Sequence, residues 1–179
     1  MILKKLFGSS KEYDAARKIY QKVVEAARQP EFYLEVEVPD NIDGRYEMIS
    51  LHSFLVMRRL KKSGKKFQDL SQVVFDLMFQ DMDQSLREIG VGDLAVGKRI
   101  KKMAQVFYGR IVAYETALEG GEESLEDALA RNHYGTLEVT PSDEILARMA
   151  AYVRLNDSDL EKISDADLAK GEVAFTKLT

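Results

Sequence analysis

FDLMFQDMDQSLREIGVGDLAVGKRIKKMAQVFYGR, residues 75 to 110, holds two helical patterns that meet at a glycine-rich corner, and its reading decides the fold. The first pattern, begun just upstream, places Leu70, Val73, Val74, Leu77, Met78, Met82, Leu86 and Ile89 at helical spacing. The second runs through Val96, Ile100, Met103, Phe107, Ile111, Tyr114 and Leu118 in steps of four, three, four, four, three and four, one continuous apolar seam. Two such helices form the spine of a bundle. At the corner, Gly90 suits the left-handed position past a helix end. Asp93 suits an N-cap whose side-chain oxygen accepts backbone N–H groups of the next helix.

The same corner imitates a phosphate loop. Gly92, Gly97 and Lys98 have the required spacing, but Arg99 stands where a magnesium-binding Ser or Thr belongs. The context differs as well, because a phosphate loop follows a buried strand and this one follows a helix. The expectation is a helix-helix turn with no nucleotide function.

Working outward, 179 residues suit one domain, and a chain of this size buries about 70% of its unfolded surface. With no Cys there is no thiol catalysis, thiolate zinc site or disulfide frame, and a reducing compartment fits. No apolar run approaches the length of a membrane span. A soluble, cytoplasmic protein is expected, with a peripheral place at the inner face of the membrane. The net charge of −4 conceals an asymmetry: residues 111 to 179 hold 15 acids against 6 bases, and residues 1 to 110 carry a net +5. Such a chain presents a basic face to an anionic partner, or attracts itself.

Residues 1–9 read as a flexible arm and 10–179 as a single helical domain. Ser10 caps a helix to about Arg28, and Pro30 stops it. Residues 31 to 42 alternate apolar and charged groups but have no partner strand, so they are expected to be an extended connection that lays Phe32 and Tyr33 over the bundle. From Asp43 or Gly44 a second long helix follows, and MISLHSFLVMRRL, residues 48 to 60, is apolar nearly all round, which places it at the centre. His52 within it reads as a hydrogen-bonded core residue. Gly109, inside the seam helix, costs about 1 kcal/mol relative to Ala, so a close backbone neighbour is expected there. Ser124, Ser142 and Ser164 open the remaining helices. The fold class expected is an all-α, single-domain helical bundle of about six to seven helices, with roughly 60 to 70% helix against a globular average of about a third.

Two sets of residues are candidates for function. Arg58, Arg59, Lys61, Lys62, Lys65 and Lys66 end the second long helix, and Lys98, Arg99, Lys101 and Lys102 begin the fourth; both clusters are candidates for an anionic partner such as RNA or acidic headgroups. Phe75, Phe79 and Met82 offer more apolar surface than one core face of a helix requires; another helix of the chain covers this surplus face, or it is left for a partner, a feature suited to hydrophobic clients. Catalysis finds little support. A di-iron bundle needs Glu-x-x-His pairs and the chain has none; both histidines stand alone, and no GxSxG or dinucleotide glycine pattern occurs. No cofactor, metal or small-molecule substrate is expected.

DGRYEM (43 to 48), SLHSFLVMRRL (50 to 60), LSQVVFDLMFQDMDQSLREIGVGDL (70 to 94) and VGKRIKKMAQVFYGR (96 to 110) resemble the ubiquinol-cytochrome c chaperone family, over about residues 10 to 160. The resemblance implies a helical, non-catalytic assembly factor for ubiquinol-cytochrome c reductase that acts on newly made cytochrome b, in some members at the ribosome; an anionic membrane surface, read from the basic clusters, and a second assembly factor are further expected partners. A bacterial-type member is expected, since the long N-terminal extension of mitochondrial members is not in this sequence. A ribosome- or nucleic-acid-associated basic-face module is the alternative, and a helical-bundle enzyme follows it.

Overall fold

Helix α3 of the computed structural model, Ile42–Lys62, is the post around which the other helices stand; residues 10–178 are described. Met48 through Val56 are all buried, as an all-round apolar helix requires. Asn41 caps α3 by accepting a hydrogen bond from the Gly44 N–H at 2.9 Å. A Cβ at Gly44 would lie 2.0 Å from the Pro39 carbonyl oxygen, so this entry is open to glycine alone.

Helices α1, Ser10–Ala27, and α4, Gln68–Glu88, pack together and against α3; α5, Asp93–Leu118, and α7, Asp143–Glu161, also pack against it. Helix α6, Leu125–Asn132, joins α5 to α7. Two short helices complete the set, α2 at Pro30–Leu34 and α8 at Asp165–Leu168. Helix makes up 74% of the described residues and no strand occurs among them, so the all-α bundle is realised. The expected arm, residues 1–9, lies outside the described residues.

The α5 seam holds, with Val96, Phe107 and Tyr114 fully buried. Gly90 turns the corner at φ 89, and Ser124, Ser142 and Ser164 cap their helices through their hydroxyls. Three details differ from expectation. Residues 30–34 form a helical turn instead of an extended strap, because Pro30 fits a first turn that does not need its N–H, and Phe32 drops into the core. Gly92 occupies the N-cap of α5, while Asp93 sits one residue further on and pairs with Arg87. Nothing approaches Gly109, where a Cβ would meet open space.

Helix α7 runs unbroken through Asn156, whose buried amide serves the C-terminal tail instead. It accepts from Thr176 N–H at 2.8 Å and donates to the Tyr152 carbonyl at 3.0 Å. The tail thereby sets Phe175 edge-on to His52, ring centroids 4.9 Å apart. His52 is a core residue, as read: Nδ1 donates to the Met48 carbonyl and Nε2 accepts from the Tyr152 hydroxyl, both at 2.7 Å. Burial lowers His52 from 6.5 to about 4. Buried His133, with neither ring nitrogen hydrogen-bonded, is lowered to about 3, chiefly by burial and then by the charges of His52 and Arg110.

Both rings are therefore neutral inside the fold, whereas the unfolded chain takes up protons below pH 6.5. Their contribution is complete above that value and is lost as pH falls toward 4, by about 3 kcal/mol for His52 from the shift to about 4. Melting temperature followed from pH 7 to 4 should fall, and the fall should be shallower in His52→Gln; equal slopes would contradict this account.

Candidate functional site

Ser63 and Gly64, the latter at φ 92, end α3, and the 3-10 turn Lys65–Phe67 redirects the chain into α4. Because the chain reverses there while α5 passes alongside, an open cavity of about 470 Å³ forms between α3, α4 and α5. Its apolar walls are Phe54, Met57 and Leu60 from α3, Phe67 from the turn, Phe75 from α4 and Ile111 from α5. Arg58, Lys61, Lys65, Tyr108 and Glu115 supply polar groups at its edge. This volume falls within the roughly 300–1,000 Å³ of small binding sites, and its make-up, apolar with a few polar groups, is theirs too.

The groove brings together part of each candidate set. Phe75 is half-buried and stacks obliquely with Phe79, Phe107 and Tyr108, at centroid distances of 4.7, 5.9 and 5.7 Å. Phe79 and Met82 are only 8% and 7% exposed: α5 covers the surplus apolar face of α4, so these two lie in the core and do not form a free patch. Met82 instead lines the floor of a second recess, about 670 Å³, below Tyr33, Leu34, Ile42 and Ile89.

The first basic cluster is largely consumed inside the chain. Arg58, 6% exposed, donates to Asp157 and Glu119 at 3.1 Å and to Glu115 at 3.4 Å. Arg59 donates to the Leu160 and Ile163 carbonyls at 2.9 and 2.6 Å, satisfying the end of α7. Lys61 pairs with Glu115, Lys62 with Glu161, and Lys66 with Asp165, whose carboxyl is drawn down to about 2 by Lys66, then Ser63 and Arg59. Lys65 forms no ion pair among the described residues. The same is true of Lys98, Arg99, Lys101 and Lys102, all exposed on the first turns of α5.

The carboxylates of α4 also find local partners. Asp81 accepts from the Tyr20 hydroxyl at 2.6 Å, Asp83 pairs with Arg87, and Asp76 accepts from Gln72 at 2.8 Å. Among the described residues no three His, Asp or Glu side chains gather as a metal site, and no helix is long and apolar enough to cross a membrane. Lys98 follows a helix and lies in one itself, so its glycines do not form a phosphate cradle.

Residues 34–175 match the family model described as ubiquinol-cytochrome C chaperone. The chain belongs to the ubiquinol-cytochrome c chaperone family. It is 40% identical to the Cbp3 homolog from Brucella abortus, whose crystal structure aligns at a TM-score of 0.82 over 99% of this chain and 98% of that one. It is also 26% identical over 165 residues to ubiquinol-cytochrome c reductase complex assembly factor 1 of Mus musculus and of Homo sapiens, 92% of this chain in each case. The chain spans about half the length of these two relatives, 55% and 54%. The whole groove, from Phe54 to Glu115, lies inside the matched family region.

Tyr108 and Val112, exposed in line with Leu94, were missed by the sequence reading, although their spacing of fourteen and eighteen residues from Leu94 repeats along the side of α5 opposite the seam. The α3 residues of the groove carried no such signal, since an all-round apolar helix does not reveal which side stays open.

The cations divide into two experimental classes. Arg58→Met should destabilise the fold by about 1–3 kcal/mol, because it removes the buried guanidinium that ties α3 to Asp157, Glu115 and Glu119, while Lys65→Met should leave urea unfolding unchanged. Comparable midpoints for the two variants would contradict the assignment.

Proposed function

We propose that this chain is a non-catalytic assembly factor that holds newly made cytochrome b and promotes its incorporation into ubiquinol-cytochrome c reductase. The observation that carries the reading is the open apolar groove lined by Phe75, within a chain of the ubiquinol-cytochrome c chaperone family. The names of the curated relatives, assembly factors of that reductase, support it. A membrane subunit awaiting its partners exposes apolar helix faces. Each large apolar side chain seated in a groove of this kind gains about 1.5–3 kcal/mol by leaving water.

Several weak contacts of that kind hold a client without trapping it. The ion-paired cations beside the groove keep its walls in place and do not compete for the client. Release follows when the reductase partner covers the same apolar helix face with a larger surface. In this reading the chain works peripherally at the inner face of the membrane, beside the ribosome that makes the client and with a second assembly factor. A nucleic-acid module is less favoured, because Arg58, Arg59, Lys61, Lys62 and Lys66 are engaged by acids of the chain itself.

Deleting the gene in its own host should lower cytochrome b and assembled reductase and leave an unrelated respiratory oxidase intact. Gln72→Trp, which fills the groove from its exposed edge, should reproduce the loss while keeping a cooperative melt. Normal cytochrome b and reductase in the deletion strain would sink the reading.

A further inference from the structure

Helix α5 leaves one face largely open, where only Tyr108 among its large side chains stacks on another helix, against Phe75 of α4. Leu94, Lys98, Lys101, Gln105, Tyr108 and Val112 follow at steps of four, three, four, three and four, and draw a stripe about 27 Å long on the side opposite the buried seam. Leu94 is 92% exposed, Val112 65% and Tyr108 57%. Lys102 borders the stripe near its start, Arg99 lies about 140° round the helix from it, and residues 94 to 114 contain no Asp or Glu.

Two features set this face apart from an ordinary solvated one. Its four cations form no ion pair among the described residues, and the nearest acids in sequence are engaged elsewhere, Asp93 by Arg87 and Glu88 by Gln84. The contrast with the end of α3 is direct: there the acids of the C-terminal third neutralise the cations, and here none has been supplied. Lys98 to Lys102 are the sixth to tenth residues of α5, past the turn where the backbone dipole acts, and it is their mutual repulsion that an external anion would offset.

We propose that this face of α5 docks the protein on a bilayer rich in acidic headgroups, with the cations at the headgroups and Leu94, Tyr108 and Val112 seated in the interface. The interleaved aliphatic groups decide between a lipid surface and RNA. Leu94 and Val112 gain from entering the boundary between headgroup and acyl chain, whereas aliphatic side chains have no flat face for a base to stack on. Tyr108 belongs both to the stripe and to the groove, so docking brings the groove to headgroup level, where a membrane subunit's helices emerge. The inference gives the peripheral location proposed above a definite surface and lipid class, and it is carried by α5 itself.

The test uses the full purified chain in flotation assays with phosphatidylcholine vesicles, alone and mixed with phosphatidylglycerol. Binding should require phosphatidylglycerol, weaken with added salt, and fall about fivefold for each cation replaced among Lys98→Gln, Arg99→Gln, Lys101→Gln and Lys102→Gln. The pair Leu94→Ser and Val112→Ser should weaken it while leaving its salt dependence in place. All of these positions are exposed, and unchanged melts of the variants separate lost binding from lost folding. Equal flotation with and without phosphatidylglycerol overturns the proposal. So does binding that polyuridylate displaces and that the Leu94 and Val112 substitutions do not touch, since the face is then a general polyanion patch. Because neither cytochrome b nor reductase is present, failure here leaves the assembly reading standing, and failure of that reading leaves this result standing.

Discussion

Arg58 is the constraint on which the arrangement depends. It lies near the end of the most buried helix and is itself buried, and a cation in that position without partners costs several kcal/mol. Asp157 on α7 and Glu115 and Glu119 on α5 supply the partners, so both helices must come to the same end of α3. Arg59 then takes the carbonyls that end α7, and Asp165 at the start of α8 gathers Lys66 and Ser63. A hydrophobic core of leucines and phenylalanines tolerates some sliding between helices. A buried guanidinium with three carboxylates does not, because any slip leaves a charge unpaired.

The groove follows from that constraint. With Glu115 held to Arg58 and Lys61, the preceding turns of α5 place Ile111 and Tyr108 opposite Met57 and Leu60. The chain reversal at Gly64 then carries α4 away on the far side, and the space between is left open. Glu47 and Arg110, paired at 2.7 Å, play the corresponding part nearer the start of α3 and hold the middle of α5 there. Five acids of the C-terminal third, Glu115, Glu119, Asp157, Glu161 and Asp165, meet the α3 end, whereas the cations at the start of α5 form no ion pair among the described residues.

What could be read from the sequence was what neighbouring residues decide. The α5 seam, the central place of α3 and the hydroxyl caps at Ser124, Ser142 and Ser164 depend on periodicity or on contacts within one turn, and the structure has them as read. That another helix could cover the surplus apolar face of α4 was legible; that the covering helix is α5, burying Phe79 and Met82 while leaving Phe75 at the groove, was not, because that depends on where a neighbour lies. The fate of the two basic clusters was equally out of reach. Arg58 and Asp157 are 99 residues apart in sequence, and nothing local distinguishes a cation that will meet an acid from one that will not. Gly109 misled for a related reason: a helical glycine is a cost that invites a steric explanation, and here no neighbour provides one.

On the proposed reading, the apolar groove and the basic stripe, which share Tyr108, together serve an apolar client. The most direct test of that claim is photo-crosslinking in the native host, with a photoreactive residue at Gln72 beside the groove or at Lys22 on the exposed side of α1. The account predicts that newly made cytochrome b is captured from position 72 and not from position 22. Capture from position 22 alone, or of no cytochrome b from either, would contradict it.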